Sequence, residues 1–307
     1  MISILVPTKN RPLQLIQLLK SIEGAGTNHN IEVIVVATGI DIQEIIESFK
    51  SQMKLKYIYS NRGGQAHQKM LGLKALDTKC KWVIFCDDDL KFLNGFFETF
   101  NDVSESYPRA IGFGVNLSVE NRIANRNLLI KACTKLAGLN SNKLGQVLKN
   151  GHAVNYMNSK NPLKTQWLSG ASIWKSDIAL KYKSDFPFSK YAAYEDVIFS
   201  YSMNNLGEMV FEPRLKLSFQ EQQPDDVTQL EVFLSANCWR FYFVSINKEL
   251  SFTYMMWTQL FRNLFFVYNN GCEYFLRVYK LWLEMALISR YKNQPLELVK
   301  KYCKEVV

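Results

Sequence analysis

The stretch KWVIFCDDDL, residues 81–90, joins an apolar segment to three consecutive carboxylates. Residues 82–86 have the composition of a buried strand, and Asp87, Asp88 and Asp89 follow it directly. Because strand interiors rarely hold charge, the acids are expected just past the strand's end, where ligands bind in an open α/β sheet. Two carboxylates separated by one residue suit a hard divalent cation that bridges protein oxygens to phosphates. The alternative is that the aspartates form an ordinary turn or cap a helix.

The composition is that of a folded protein with room for one large domain or two. The chain has 307 residues, of which 48% are hydrophobic and 21% are charged. Met1 leads directly into the strand-like segment ISILVP, so no secretory leader is expected. No run of about 18 apolar residues occurs, which argues against a membrane span. The six cysteines lack the close spacing of a metal site and are expected to be reduced thiols in a cytoplasmic protein.

The net charge of +9 is unevenly distributed along the chain. No Asp or Glu occurs between Glu120 and Asp177, whereas that segment carries nine lysines and arginines. A long basic segment without acids favours an anionic partner, and at this point nucleic acid and anionic lipid headgroups both qualify. The alternative is a solvated basic face that serves only solubility.

Strands and helices alternate over the first hundred residues. Strands are predicted at 2–6, 32–36, 55–59 and 82–86, and helices at 13–22, at 42–49 and around 70–76. Pro7 is expected to end the first strand. This order predicts an α/β fold with a mostly parallel sheet, flanked by helices and joined by right-handed crossovers.

The loops that follow these strands would gather polar side chains at one edge of the sheet. Besides the three aspartates, the loop residues are Thr8, Asn10, Arg11, Thr38, Gly39, Asp41, Asn61, Arg62, Gly63 and Gly64. Each of them taken alone is more readily explained as a turn or a cap, but four such loops together predict a ligand pocket. Neither GxGxxG after the first strand nor GxxxxGK[ST] occurs, so dinucleotide-binding and P-loop interpretations lose their main support.

Five segments, in order along the chain, carry a family resemblance. They are VPTKNRPLQLIQLLKSI (6–22), NRGGQAHQKMLGLKAL (61–76), FCDDDL (85–90), WLSGASIWKSDI (167–178) and YAAYEDVIFSYSMNNLGE (191–208). Together they resemble the family-2 glycosyltransferases, over about residues 1–220. The resemblance implies the GT-A fold, which is Rossmann-like, for a first domain of residues 1–225.

The resemblance also implies roles for individual positions. Donor binding is predicted for Pro7, Thr8, Asn10, Arg11, Asp41, Arg62, Gln68, Asp87 and Asp88. Asp89, with Asp87, would hold Mg²⁺ or Mn²⁺. Gln68 stands where many relatives carry Arg, and Asp41 replaces acids that usually come earlier in its loop. Trp167 and Gly170 would lie on the acceptor side.

The Glu195–Asp196 pair precedes an apolar-periodic stretch that is typical of a helix. The N-terminal end of a helix stabilises an ionised carboxylate. By resemblance, Asp196 is the base that takes the proton of the acceptor hydroxyl in inverting transfer, and Glu195 orients it or holds the acceptor. The alternative is that both acids only cap the helix. Many relatives carry a His after this helix, whereas this chain has Gln220 and Glu221, so one of these substitutes or the cation is held by the aspartates, the diphosphate and water.

Two further regions differ from the alternating part of the chain. Residues 115–165 are predicted to be a basic, mobile insertion near the acceptor side. Residues 226–307 are predicted to be a helical region in which aromatic and basic residues alternate. This composition favours amphipathic helices on a membrane surface. A helical subdomain packed on the sheet, or the interface of a homodimer, is the alternative use of the same residues.

These observations predict an inverting, metal-dependent glycosyltransferase. It would move a sugar from a nucleoside-diphosphate-sugar, with a UDP-sugar favoured, to a hydroxyl of a surface polysaccharide or lipid-linked oligosaccharide. The protein would lie in the cytoplasm at the inner face of the cell membrane, and no nucleic acid partner is expected. The alternatives are a non-catalytic nucleotide- or polyanion-binding protein on the same scaffold, or a nucleotidyltransferase, although VPTKNRP is a poor match to the phosphate loop of the latter.

Overall fold

The computed structural model describes residues 1–25, 30–118, 134–139, 142–182, 193–220, 228–287 and 295–302. Its first part contains strands β1 (Ile2–Lys9), β2 (Ile31–Thr38), β3 (Lys54–Tyr59) and β4 (Trp82–Phe85). These four strands are parallel and lie in the order β3-β2-β1-β4. Helices α1 (Pro12–Ala25), α2 (Gln43–Phe49) and α3 (Gln65–Lys74) connect them. The predicted alternation and the parallel sheet are therefore confirmed.

Strand β1 runs through Pro7 to Lys9, so the prediction that Pro7 ends it is wrong. Pro7 pairs in register with Val36 of β2, whereas β4 pairs with β1 only as far as Leu5. The fixed φ of proline is compatible with an extended strand, and its cost in a sheet is the missing N–H donor. Among the described strands, none pairs with β1 on the β4 side past Leu5, so the strand tolerates a residue without that donor.

Both faces of β1 are buried, which explains its mostly apolar sequence. Leu5 belongs to one hydrophobic core cluster, and Ile4 and Val6 belong to a second. Because successive side chains of a strand point to opposite faces, the two clusters lie on opposite sides of the sheet. The sheet is thus the middle layer of the protein.

The remaining strands make the sheet mixed. They are β5 (Leu90–Phe92), β6 (Ala110–Ser118), β7 (Leu163–Thr165), β8 (Ser172–Lys175) and β9 (Glu208–Phe219), and helix α4 (Phe96–Ser106) lies between β5 and β6. Strand β8 is antiparallel to β4 and to β6, and β9 is parallel to β6 but antiparallel to β5 and β7. Within the described ranges the nine strands form one sheet in the order β3-β2-β1-β4-β8-β6-β9-β5, with β7 also paired to β9.

The later helices pack on one face of this sheet. They are α5 (Ser176–Ala179), α6 (Glu195–Ser202), α7 (Gln229–Ile246), α8 (Phe252–Asn270), a 3-10 turn (Cys272–Tyr274), α9 (Phe275–Leu287) and α10 (Pro295–Tyr302). The buried rings of Trp239, Phe241 and Phe243 in α7 share a core cluster with Phe85 and Trp174 of the sheet. Some of the many aromatic residues of the C-terminal region therefore belong to the hydrophobic core. The predicted domain boundary at residue 225 lies outside the described residues.

The described parts of the predicted insertion are 115–118, 134–139 and 142–165, and the first of these is the end of strand β6 and not part of an insertion. Tyr156 in this segment is fully buried and Asn150 is nearly so, which shows that 142–165 packs against the fold. Its mobility stays a prediction. Arg122, Arg126 and Lys131 lie outside the described residues.

Candidate active site

The three aspartates form a turn at the carboxyl end of β4. Strand β4 ends at Phe85, and the turn leads into β5 at Leu90. The loop after β1 lies beside it, because β1 and β4 are neighbouring parallel strands. This edge of a parallel sheet is where ligands bind in open α/β folds.

Asp88, the middle carboxylate, joins the turn to the loop after β1. The side chain of Asp88 is buried, and the hydroxyl of Thr8 donates a hydrogen bond from Oγ1 to Asp88 Oδ2 at 2.7 Å. Arg11 Nη1 donates to its other oxygen at 3.1 Å. Burial raises the pKa of Asp88, and the bonds from Thr8 and Arg11 act in the opposite direction. The observed role of these three side chains is to fix the edge of the pocket, and their direct contact with a donor stays a prediction.

Gln220, at the end of β9, fixes the same turn from the other side. Its backbone N–H donates to the carbonyl of Asp89 at 2.7 Å. Its side-chain Nε2 lies within hydrogen-bond distance of the carbonyl oxygens of Gln14, Asp88 and Leu90. The Nε2 of Gln220 is thus held by the backbone of the acidic turn, whereas its Oε1 is buried without a hydrogen-bond partner. The use of Gln220 as the substitute for the missing histidine stays a prediction. Glu221, the other predicted substitute, lies outside the described residues.

Asp87 and Asp89 are more open than Asp88. Asp87 Oδ1 accepts a hydrogen bond from Gln65 Nε2, and Asp89 Oδ2 lies 3.7 Å from Arg11 Nη1. Burial is the main cause that raises the pKa of Asp87, and the charge of Asp89 adds to it. The turn therefore presents two carboxylates that repel each other and would gain from a nearby cation.

A buried lysine links the acidic turn to the Glu195–Asp196 pair. Lys69 of α3 is 2% exposed, and its Nζ donates to Glu195 Oε1 at 2.5 Å. Tyr182 donates its hydroxyl proton to the other oxygen of Glu195 at 2.7 Å. Burial would lower the pKa of Lys69, but the charges of Glu195 and Asp87 outweigh it and hold the pKa above its usual range. Both oxygens of Glu195 are thus in use, which leaves this carboxylate to position Lys69 and not to cap α6.

Asp196, the next residue, has a different environment. It is half-buried in the first turn of α6, and its Oδ1 accepts from the N–H of Val197 at 2.8 Å. Burial, and then the charge of Glu195, raise the pKa of Asp196 to about 6. A carboxylate with a pKa near neutrality can both exist in its ionised form and accept a proton.

The loops after β1 and β2 are held together by Asn10. This residue has a φ of +56°, and its Oδ1 accepts from the N–H of Ile40 at 2.9 Å. A Cβ on Gly39 would lie 2.1 Å from Asn10 Oδ1, so the close approach requires glycine. Pro7 is buried in β1 just before this contact. The donor contacts predicted for Pro7 and Asn10 stay predictions.

Asp41 and Arg62 lie in the loops after β2 and β3. Asp41 is exposed, and its Oδ1 accepts from the Tyr57 hydroxyl at 2.7 Å and from the N–H of Gln43 at 3.0 Å. These bonds lower the pKa of Asp41, with Tyr57 as the main cause. Arg62 is exposed in the loop before α3. The donor contacts predicted for Asp41 and Arg62 stay predictions.

Gln68 is buried below the pocket and bonds to the backbone of two strands. Its Nε2 donates to the carbonyl of Thr8 at 2.8 Å and to that of Val36 at 2.7 Å. Only 3% of the residue is exposed. Its amide nitrogen therefore joins the ends of β1 and β2, and a direct contact with a donor stays a prediction.

The two predicted acceptor-side residues differ in position. Trp167 is buried, donates its indole N–H to the carbonyl of Val154 at 3.1 Å and packs on Tyr156. Gly170 borders the acids, since a Cβ there would lie 3.8 Å from Asp87 Oδ2 and 4.0 Å from Lys69 Nζ. Gly170 is therefore the member of the pair that lies at the site.

The donor set fits a hard divalent cation only in part. Asp87 and Asp89 supply carboxylate oxygens, the ligands that Mg²⁺ and Mn²⁺ prefer. Within the described ranges, no group of three His, Cys, Asp or Glu side chains is placed to hold a metal ion. Mg²⁺ commonly binds through one or two carboxylates together with substrate phosphates. The site thus fits a cation that binds together with a diphosphate.

The sequence matches the family model described as glycosyl transferase family 2 over residues 3–165. The chain belongs to this family. No curated protein matches the chain significantly.

Solved structures of TarS from S. aureus share the fold. Residues 1–349 of TarS superpose with a TM-score of 0.59 at 14% identity, covering 98% of this chain and 89% of that one. The same TarS fragment in complex with UDP-GlcNAc gives a TM-score of 0.59 at 12% identity, with 98% and 90% covered. Against the longer TarS chain the TM-score is 0.53 at 14% identity, and the match covers 98% of this chain and 48% of that one. The predicted GT-A fold with a helical C-terminal region is confirmed.

Sequence reasoning missed two residues of this family-2 site, Lys69 and Tyr182. Lys69 lies in a helix whose other positions include exposed polar residues, so its pattern indicates a solvated face. Its partner Glu195 is 126 positions away in the sequence. Only the tertiary fold buries the two together, and the sole sequence feature that points to Lys69 is its place in the glycine-rich segment 61–76.

Proposed function

We propose that the chain transfers a sugar from a nucleoside diphosphate donor to an acceptor hydroxyl, with inversion at the anomeric carbon. This proposal rests on one observation: Asp196 and Asp87 both lie close to Lys69, at the carboxyl ends of the parallel strands. A UDP-sugar is the favoured donor, and the complex of TarS with UDP-GlcNAc supports that choice at the level of the fold.

Asp196 is the proposed base. In its ionised form it accepts the proton of the acceptor hydroxyl as that oxygen attacks the anomeric carbon. Its pKa of about 6 means that the carboxylate is largely ionised at neutral pH. Glu195 and Tyr182 hold the Lys69 ammonium beside Asp87. Gly170 leaves room for the reacting groups next to these side chains.

Asp87 and Asp89 are the proposed holders of Mg²⁺ or Mn²⁺. When bound, such a cation stabilises negative charge on a leaving diphosphate. Asp88 keeps the turn in place through Thr8 and Arg11, and Gln220 does so from β9. The two open carboxylates are thereby held in a fixed relation to each other.

Ligand binding and turnover test this proposal without knowledge of the acceptor. We expect UDP with Mn²⁺ to raise the melting temperature of the protein, because a ligand that binds only the native state stabilises it. We also expect slow release of UDP from a UDP-sugar, with water in place of the acceptor. Binding without nucleotide release from any nucleotide-sugar would favour a non-catalytic nucleotide-binding protein. No binding of any nucleoside diphosphate would contradict the proposal.

The acceptor is proposed to be a surface polysaccharide or a lipid-linked saccharide, presented at a membrane. Exposed apolar side chains form stripes on two C-terminal helices, at Tyr254, Trp257, Leu264 and Tyr268 of α8 and at Leu276, Leu283 and Leu287 of α9. Exposed Arg277 and Lys280 lie on α9. Among the described helices, none is long and apolar enough to cross a membrane. Such helices suit peripheral binding to anionic lipid, at the inner face of the cell membrane.

Vesicle flotation tests the membrane proposal. We expect the protein to float with vesicles that contain phosphatidylglycerol, and the bound fraction to fall as salt screens Arg277 and Lys280. Trp257→Glu combined with Leu276→Glu should remove binding, because each places a charge on an exposed apolar stripe. Leu180→Glu is the control, since Leu180 is 57% exposed outside the C-terminal helices.

A second copy of the chain is the other occupant that would cover these stripes. If the double variant converts a dimer into a monomer and leaves vesicle binding unchanged, the stripes are a dimer interface. Equal binding to neutral and anionic vesicles would remove the electrostatic part of the membrane proposal.

A further inference from the structure

A buried arginine in the C-terminal helices lacks partners for much of its guanidinium group. Arg240 of α7 is fully buried, and its Nη2 donates to Gln259 Oε1 of α8. Its Nε and Nη1 are buried without a hydrogen-bond partner. Burying a charge without a partner costs free energy. Buried charges are therefore normally paired with a counter-charge or satisfied by further hydrogen bonds.

Other unpaired polar groups lie close to Arg240. Arg262 of α8 has a buried Nε without a partner, and both amide atoms of Asn237, one turn before Arg240, are buried and unpartnered. His152 follows Gly151, on which a Cβ would lie 3.5 Å from Arg240 Cγ. Burial, and then the charges of Arg262 and Arg240, lower the pKa of His152 to about 4. No carboxylate of the described residues pairs with either arginine. This cluster, formed by Asn237, Arg240, Arg262 and His152, therefore holds excess positive charge and free donors.

The cluster is held in place by its surroundings. Gln259 Nε2 donates to Asn263 Oδ1 at 2.7 Å, and Asn263 Nδ2 donates to the carbonyl of Val278 at 3.2 Å. Gln259 and Asn263 are both buried. On the other side, a Cβ on Gly151 would lie 2.4 Å from Val244 Cγ2, so only glycine lets the turn before His152 approach α7. The donors of Arg240 are thus oriented before any ligand binds.

We propose that Arg240, Arg262, His152 and Asn237 form a binding site for a phosphoryl group. Guanidinium donors match the oxygens of a phosphoryl group in geometry and charge, and Arg binds such groups through two parallel hydrogen bonds. Arg262 and His152 are half-buried, so these two members of the cluster keep some contact with solvent. None of the four residues belongs to the proposed donor site, so this inference does not depend on the proposed function.

The site borders the start of the helix that carries Asp196. The hydroxyl of Tyr194 opposes the lowering of the Arg240 pKa, which places it beside the guanidinium. Tyr194 directly precedes Glu195 and has a φ of +78°, in the left-handed region that side chains rarely adopt. A phosphoryl group on Arg240 would therefore lie next to the backbone that positions Glu195 and Asp196.

Thermal unfolding in inorganic phosphate tests the proposal, with ionic strength held constant by chloride. We expect phosphate to raise the melting temperature of the wild type in a saturable way, because it binds the native state. Arg262→Gln should lose most of this increment. Arg109→Gln is the control, since Arg109 is an exposed arginine outside the C-terminal helices. Because phosphate also stabilises proteins non-specifically, only the difference between these two variants is used.

Arg240→Met separates binding from a structural role. Removal of an uncompensated buried charge should leave the protein at least as stable as the wild type in phosphate-free buffer and should remove the phosphate increment. If Arg262→Gln and Arg240→Met keep the full increment, the proposal is wrong. It is also wrong if Arg240→Met is much less stable while the increment of Arg262→Gln is unchanged.

Two further binding experiments identify the source of the phosphoryl group. Glycerol 3-phosphate represents a soluble or polymer-borne phosphate, and vesicles with phosphatidic acid represent a lipid headgroup. Stabilisation by glycerol 3-phosphate that Arg262→Gln removes supports a soluble source. Flotation with phosphatidic acid that Arg262→Gln weakens, without an effect of glycerol 3-phosphate, supports a lipid source. If neither ligand distinguishes Arg262→Gln from Arg109→Gln, the site does not bind phosphoryl groups.

Discussion

Asp196→Asn is expected to lower turnover by about 10²–10⁴, the usual effect of losing a general base. Asparagine keeps the size of the side chain and can still accept the hydrogen bond from the N–H of Val197. It cannot take up the proton of the acceptor hydroxyl. Donor affinity should hardly change, because the proposed donor contacts lie on the loops after β1 to β4. Nucleotide release gives turnover, and calorimetry with UDP and Mn²⁺ gives affinity.

Asp177→Asn is the matched control, because Asp177 is an exposed acid in the first turn of α5. Glu195→Gln should act mainly on stability, since it removes the counter-charge that is hydrogen-bonded to the buried ammonium of Lys69. If Asp196→Asn keeps full turnover and Glu195→Gln is folded but inactive, the base has been assigned to the wrong member of the pair. If both variants are folded and active, neither carboxylate is the base.

Asp89→Ala is expected to remove the part of UDP binding that depends on Mn²⁺. The protein offers two open carboxylates in the acidic turn, so the loss of Asp89 leaves Asp87 alone. Removing even an outer-shell partner of a metal costs about 10–100-fold in affinity, and a direct ligand should cost at least that. Asp87→Ala should weaken binding as well, with an added effect on Lys69, whose charge it stabilises.

The control for the metal prediction is Asp102→Ala, which removes an exposed acid of α4. Calorimetric titration of UDP, with Mn²⁺ and with a chelator, gives the metal-dependent part for each variant. Wild-type Mn²⁺ dependence in Asp89→Ala would show that Asp89 is not a ligand. Equal UDP affinity with Mn²⁺ and with chelator in the wild type would remove the metal from the mechanism.

The parallel half of the fold was accessible from the sequence because three of its four strands, β1, β2 and β4, are buried on both faces. Such strands have mostly apolar runs, as in ISILV of β1, and the helices between them have clear periodicity. Strand β9 lacks this pattern, because it contains Glu212 and Pro213 in its middle. Glu212 is fully buried and pairs with Arg214, and the register of β6 with β9 shifts near the proline. Tertiary pairing, and not local sequence, determines this strand.

The chemistry of the site was predictable only where residues are close in sequence. Three aspartates after a strand and a Glu–Asp pair before a helix are local patterns, and the structure brings both to one region. The contact of Lys69 with Glu195 joins distant segments through burial, which sequence patterns do not encode. The aromatic residues of the C-terminal region show the same limit. Trp239 is buried in the core while Trp257 is half-exposed, and composition treats them alike.

The assignment of Asp196 as the base is tested most directly by the pH dependence of nucleotide release by the wild type, from about pH 5 to about pH 8. The pKa of Asp196 is raised to about 6, so the carboxylate is protonated and inactive below that pH and ionised above it. We predict that turnover rises with pH through about 6, and that the residual turnover of Asp196→Asn lacks this rise. A wild-type rate that does not change over this range, or the same rise in Asp196→Asn, would contradict the assignment of Asp196 as the base.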